Sequence, residues 1–354
     1  MSASEKEPDE YVKAIAESRL SIYEHIEVGD PELWIPSPEL EIILDESLRG
    51  TSLVGLPLRT RSKVVKTKVC EALGYPVPAS FKKTQPRFPG QFFDTYVQKS
   101  TNLQVWNEEL SPIRRYVIIQ VSDDDIITKV KVVTGDTLAV LDTTGTLTQK
   151  YQAGLITGED STELISAADT TNVLPLLTKE NDFSAAEFSP IEAAVASAIL
   201  PIDEVFNRLK PLVGQTFKDA GHDQERNRGA ELHRLICEAL GFKSYKDDGQ
   251  FPDIRNQLIE VKLQTSPTID LGLVRPDSTA PLDMIQIEGK QLRHCDVRYA
   301  LFYAKTDGDL VTLTHFYLTT GEAFFTRFTQ FQGKVLNKKL QTPLPRNFFG
   351  TKAE

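Results

Sequence analysis

The stretch GQFPDIRNQLIEVKLQTS, Gly249 to Ser266, sets Pro252-Asp253 ahead of a hydrophobic run that closes on Glu260-Val261-Lys262. Side chains two apart on a strand point to the same face, so Glu260 and Lys262 emerge together. If Asp253 reaches the same place, two carboxylates and an ammonium converge. That set makes a site for a hard divalent cation with a charged helper beside it. Glu231, on a helical stretch just upstream, is a third acid able to turn inward. Gln264 lies two residues further along the strand face and is a candidate to support the site.

Elements that position these groups are legible around them. Leu232, Leu235, Ile236, Ala239 and Leu240 recur at helical spacing, an amphipathic stripe, and Gly241 is placed to end that helix. After the GQFPD turn come three strands: LIEVKL, RYALFYA and VTLTHFYL. The last two are joined by a turn at Thr306-Asp307-Gly308. A helix followed by strands predicts an α/β unit whose mixed central sheet is flanked by helices.

The same order of elements occurs twice. Leu53-Val54-Gly55 matches Leu212-Val213-Gly214, and RTRSKVVKTKVCEALGY (59–75) matches RNRGAELHRLICEALGF (226–242) without a gap. GQFFD (90–94) resembles GQFPD (249–253), LQVW (103–106) resembles IEVK (259–262), and RYVIIQVSDDDIIT (115–128) resembles RYALFYAKTDGDLVT (298–312). Ser37-Pro38 and Ser189-Pro190 precede the two copies. Aligned this way, Glu231 corresponds to Val64, Asp253 to Asp94, Glu260 to Gln104 and Lys262 to Trp106. Three of the four proposed positions lose their charge, so the first copy is expected to be degenerate. The expected organisation is an acidic helical arm over 1–36, a degenerate domain over 37–150, a polar linker over 151–188 and the site-bearing domain over 189–354.

Composition is compatible with this plan. A chain of 354 residues is long for one core. The net charge of −10 speaks against a uniformly nucleic-acid-binding surface, but basic residues cluster locally, at RTRSKVVKTK (59–68) and at Lys82-Lys83 with Arg87. Three cysteines with no CxxC spacing argue against a disulfide framework or a zinc site, and Cys70 and Cys237 occupy equivalent, apolar helix positions suited to packing. The histidines show no triad or ligand spacing. No apolar run reaches membrane-span length and the start is acidic without an apolar segment, so a cytoplasmic protein with no membrane partner is expected.

Pro252-Asp253, six residues, then Glu260-Val261-Lys262 behind a helix bearing Glu231 resembles the PD-(D/E)xK nuclease superfamily, to which most Type II restriction endonucleases belong. The resemblance implies an α/β chain with two duplicated PD-(D/E)xK-like domains, the first catalytically degenerate. It also implies a Mg²⁺ cofactor, for which Mn²⁺ can substitute. Asp253 and Glu260 would be ligands, with the Val261 carbonyl as a third and Glu231 holding a second metal or a metal-bound water. Lys262 would orient or help deprotonate the attacking water. The implied activity is hydrolysis of both strands of duplex DNA at a short specific sequence, leaving 5′-phosphates, by a homodimer matched to a palindrome. A nicking, repair or junction nuclease and a non-catalytic DNA-binding protein remain as alternatives. Candidate DNA contacts are Arg59, Arg61, Lys82, Lys83, Arg87, Arg226, Arg228, Arg275, Lys290 and Arg293, drawn from the basic runs and from the long insertion after the catalytic strand. The repeated arginine pair, Arg59/Arg61 and Arg226/Arg228, suits either shared phosphate contact or a shared structural salt bridge.

Overall fold

The computed structural model describes residues 6–100, 102–106, 110–141, 151–155, 162–179, 184–219, 225–331, 339–345 and 348–350. The chain is mixed α/β and divides into two compact units near residue 150. The first unit comprises Ser4–Gln149 with Asp283–Ile285 and Lys334–Glu354. The second comprises Lys150–Leu282 and Gln286–Gly333, with Met1–Ala3. No helix among the described residues is long and apolar enough to cross a membrane.

In the first unit, α1 (Pro8–Ser18), α2 (Ser37–Leu48) and α3 (Leu58–Ala72) precede β1 (Phe93–Gln98), β2 (Asn102–Trp106), β3 (Arg115–Val121), β4 (Ile127–Thr134) and α4 (Gly135–Leu141). The sheet order is β1-β3-β4, with β1 parallel to β3 and β3 antiparallel to β4. Residues 6–36 are not a solvated arm. Tyr11 and Ile15, one helical turn apart on α1, are buried with Ile22, Ile26, Trp34 and Ile35 in the core that also holds Leu40, Val65, Val69 and Phe93.

The second unit begins within the stretch expected to be a linker. There, β5 (Tyr151–Leu155) and β6 (Glu163–Leu164) join sheets with strands from far along the chain. Next come α5 (Ile202–Leu209), β7 (Thr216–Lys218), α6 (Glu225–Leu240), β8 (Ile259–Gln264), β9 (Thr268–Gly272), β10 (Arg298–Thr306), β11 (Leu310–Thr320) and β12 (Phe328–Phe331). The main sheet runs β6-β11-β10-β8, with β7 also on β11. β8 is parallel to β10, and β10 is antiparallel to β11. Leu232, Ile236 and Leu240 of α6 are buried against Ile259, Ala300 and Phe302, and Leu235 and Ala239 pack at their margin. Gly241 ends α6 at φ 94°, a left-handed conformation that glycine adopts without penalty. The final strand, β13 (Lys339–Pro343), pairs with β2, so the chain returns to the first unit after residue 333.

Both units use one device to place their central strand. Arg115 opens β3 and Arg298 opens β10, and both side chains are buried. Arg298 Nε donates to Asp169 Oδ1 at 2.7 Å, Nη1 donates to the Gln257 carbonyl at 3.2 Å, and Asp169 Oδ2 accepts from the Ile202 amide at the start of α5. Arg115 donates to the carbonyls of Ile35 and Gln91 and lies 3.6 Å from Asp283, which accepts from the Ser37 amide at the start of α2. The buried cation requires a carboxylate, and Asp169 supplies it from within 151–188. That ion pair, the strand pairing of β5 and β6, and the buried Val173 and Leu176 tie the stretch into the second unit. Gly135 and Gly321, which follow β4 and β11, each sit where an added Cβ would meet a backbone oxygen, at 1.9 Å from Ser111 and 2.3 Å from Pro276, so neither position admits a side chain without a shift.

Breaking one of these buried pairs leaves an uncompensated charge. Arg298→Ala is expected to cost about 3–5 kcal/mol in urea denaturation, whereas Arg275→Ala, which removes an exposed pair with Asp277, is expected to cost at most about 1 kcal/mol.

Candidate active site

Asp253 precedes β8, separated from it by a short turn over 254–258, and Ile254 and Ile259 bridge across that turn. The turn brings the Asp253 carboxylate back onto the strand. Its Oδ2 accepts from the Val261 amide at 2.8 Å, while its own amide donates to Glu260 Oε2 at 3.3 Å. Lys262 Nζ lies 2.8 Å from Glu260 Oε1. The Glu260 side chain is buried and that of Lys262 half-buried, at 10% and 21% exposure. Asp253, Glu260 and Lys262 are therefore brought together at one end of the sheet.

The electrostatics of the cluster are unbalanced. Burial pushes the Asp253 carboxyl well above the ordinary carboxylate range, and the charge of Glu260 pushes it further, against an opposing pull from Lys262. Asp247, in the turn before GQFPD, adds to the shift, and sequence reasoning missed it; its only signal is the acidic pair Asp247-Asp248. Burial also pushes the Cys237 thiol up to about 12, with Asp247 and Asp253 contributing, so this cysteine packs rather than reacts.

Two of the expected ligands differ in outcome. The Val261 carbonyl belongs to the same backbone segment as the two carboxylates. Glu231 is directed elsewhere: it forms an ion pair with Arg234, one helical turn away, at 2.7 Å. Among the described residues, no group of three or more His, Cys, Asp or Glu side chains is gathered for a metal ion. Asp253 and Glu260, without Glu231, could hold Mg²⁺, which keeps several waters and is usually bound by one or two carboxylates.

Among the expected DNA contacts, the described members of the two arginine pairs are held in salt bridges. Arg228 is buried, with Nε and Nη2 donating to Asp219 at 2.7 and 2.9 Å, and Arg61 makes the equivalent bidentate pair with Asp125 at 2.6 and 2.7 Å. Both act as structural salt bridges and neither is available to phosphate. The side chains of Arg59 and Arg226 lie outside the described residues. Arg275 is exposed but engaged by Asp277 and by the Phe325 ring. Lys82, Lys83, Arg87 and Arg293 are exposed and Lys290 is half-buried.

Strand register corrects the correspondence between the two copies. Ile259 faces Arg298, and in the first unit it is Phe93 that faces Arg115. The Phe88–Phe93 bridge repeats the Ile254–Ile259 bridge, and Phe92 and Leu258 share a left-handed backbone. Arg87 N donates to Asp94 Oδ1 at 2.8 Å, as Asp253 N donates to Glu260. Asp253 therefore corresponds to Arg87, Glu260 to Asp94 and Lys262 to Tyr96. The expected partners Asp94, Gln104 and Trp106 belong elsewhere: Asp94 lies inside β1, and Gln104 and Trp106 are in β2, which pairs with β13. The resemblance of GQFFD to GQFPD is misleading because the first runs directly into its strand while the second precedes a turn.

No family model, curated protein or solved structure matches the chain.

An ionisable group that is more easily protonated in the folded state withdraws stability as pH rises from its unfolded value, 3.8 here, through its raised folded value. Asp253→Asn is accordingly expected to raise the thermal midpoint at neutral pH in chelator, by roughly 2–4 °C for each kcal/mol relieved. The gain should disappear toward pH 4, where the wild-type carboxyl also holds its proton. A midpoint lowered by the same amount at every pH would contradict this reading.

Proposed function

We propose that the chain is a divalent-cation-dependent endodeoxyribonuclease of the PD-(D/E)xK kind, with two duplicated nuclease-like units of which only the second is active. The observation that carries this is the clasp at β8: Asp253 bonded to the Val261 amide, Glu260 bonded to the Asp253 amide, and Lys262 bonded to Glu260. Asp253 and Glu260 would hold Mg²⁺ or Mn²⁺ together with the Val261 carbonyl. The bound ion would supply Lewis acidity and neutralise the scissile phosphate.

The chain's own groups account for the rest. Glu260 fixes Lys262 beside the carboxylates. An ammonium held there can donate to a non-bridging phosphate oxygen and stabilise the negative charge that grows as water attacks phosphorus. Attack adds the water oxygen to phosphorus, with the water's proton passing to solvent, and breaks the bond to the 3′ oxygen, which takes a proton from solvent, leaving a 5′-phosphate and a 3′-hydroxyl. Raised as it is, the Asp253 carboxyl must lose a proton before it can bind a cation.

In the first unit, Arg87 and Tyr96 stand where Asp253 and Lys262 stand in the second. One chain then has one active site, and cutting both strands of a duplex requires two chains, which favours a homodimer on a palindromic site. A chain acting alone would nick.

The test is digestion of supercoiled plasmid with Mg²⁺ or Mn²⁺, followed by end sequencing. Discrete fragments with 5′-phosphates are expected, with cleavage lowered roughly 10²–10⁴-fold by Lys262→Ala and comparably by Glu260→Gln. Glu231→Gln is expected to cleave like wild type, because Glu231 pairs with Arg234. Plasmid that stays intact with both metals, while the protein still binds DNA, would assign the chain to a non-catalytic role.

A further inference from the structure

We infer that Arg255 is a positioning residue for the candidate active site. Paired with Asp248, it ties together the two ends of the loop that carries Asp253, and so sets the Asp253 carboxylate against β8. The inference rests on the reading of Asp253 and Glu260 as cation ligands, but neither Arg255 nor Asp248 touches the ion or the nucleic acid.

Asp253 lies between Asp248 and Arg255 in the chain, and the Arg255 guanidinium spans the loop. Its Nη1 donates to Asp248 Oδ1 at 3.1 Å and its Nη2 donates to Asp248 Oδ2 at 2.7 Å, a bidentate pair that fixes direction as well as distance. Asp248 Oδ1 also accepts from the Gln250 amide at 3.1 Å, so one carboxylate meets both the entry and the exit of the loop. Arg255 Nη2 donates further to the Ile191 carbonyl, and the Asn256 amide donates to the Pro190 carbonyl at 3.2 Å. The clamp is therefore anchored outside the loop. The Arg255 and Asp248 side chains are 9% and 25% exposed, so water screens their attraction less than it screens a surface pair. The middle of the loop is held separately, by the Phe251 ring stacked on His294 with centroids 5.0 Å apart.

The first unit folds the same turn without the clamp. Counting back from the paired strands, Arg255 corresponds to Pro89 and Asp248 to Lys82, and no acid occurs over 76–93. The backbone anchor is kept: the Gly90 amide donates to the Ile22 carbonyl at 3.0 Å, as the Asn256 amide does to Pro190. The side-chain pair is not. Proline has no side-chain donor, and Lys82 lies over the Tyr23 ring, 4.6 Å from its centre. The turn itself thus needs no clamp, and the clamp occurs in the unit whose loop carries the candidate ligand. A ligand carboxylate must be held to within about 0.5 Å of its working position. Asp248 and Arg255 supply that restraint by closing the loop that presses Asp253 onto the Val261 amide.

The test compares the full chain with Asp248→Asn, Arg255→Lys and the double variant. Asp248→Asn keeps an oxygen for the Gln250 amide and removes the charge that faces Arg255. Hydrogen exchange at single backbone amides, followed in chelator, reads the Asp253–Val261 bond without metal or substrate. The Val261 amide should exchange faster in each variant, while that of Phe302, in the middle of β10, keeps its wild-type rate. Mn²⁺ titrated without nucleic acid should bind roughly 10–100-fold more weakly, and kcat for plasmid cleavage should fall with KM for DNA unchanged. The double variant should lose no more than the worse single variant, because the two residues act as one pair. Wild-type Val261 exchange and wild-type Mn²⁺ affinity in both single variants would overturn the inference and leave the nuclease reading intact. So would an equal loss of protection at Val261 and Phe302, since that would make the pair a general stabiliser of the fold. Wild type that neither takes up Mn²⁺ nor cleaves plasmid would remove the nuclease reading itself, and the inference with it.

Discussion

A buried arginine at the head of the central strand constrains each unit. A guanidinium removed from water must be met by a carboxylate and by carbonyls. In the second unit this need draws Asp169, the 257 carbonyl and the start of α5 to one point beside β10. Once Arg298 is fixed, its amide bonds to the Leu258 carbonyl at 2.8 Å, and the turn over 254–258 is held against the sheet. That turn carries Asp253 back to Glu260. The candidate site is thus built on a strand end and a pinned turn, a rigid base for groups that must hold position.

Each unit meets the same constraint with an acid from a different part of the chain. Asp283 serves Arg115, and Asp169 serves Arg298. The glutamines repeat more faithfully. The Gln91 side chain bonds the backbone of Leu33 and Ile35, and Gln257 bonds that of Ala198 and Leu200. On these shared skeletons the two units carry different side chains at the turn before the strand. Asp253, Glu260 and Lys262 of the second unit stand where the first has Arg87, Asp94 and Tyr96.

Much of this was legible from residue order. The apolar stripe on α6, its glycine stop and the three strands after GQFPD follow from periodicity and turn chemistry. The convergence of Asp253, Glu260 and Lys262 follows from strand alternation plus one turn. What escaped was long-range. Nothing in the 151–188 stretch marks Asp169 as the partner of an arginine far along the chain. The repeated arginines suggest a shared structural salt bridge as one of two readings, and Arg61 and Arg228 make it, but nothing local names Asp125 and Asp219 as the partners. The twin alignment failed for a related reason. GQFFD and GQFPD look alike as letters, but one enters a strand directly and the other enters a turn, and only pairing to Arg115 and Arg298 reveals the offset. Glu231 sits on the expected helix, yet Arg234 one turn away captures it.

The central claim is that Asp253 and Glu260 together take up one divalent cation. Calorimetric titration of Mn²⁺ into the protein without nucleic acid tests it most directly, when run at several pH values and in buffers of different ionisation heat. The account predicts one ion per chain, proton release on binding, tighter binding as pH rises, and loss of binding in Glu260→Gln. Absence of Mn²⁺ uptake, or uptake that Glu260→Gln and pH leave unchanged, would contradict it.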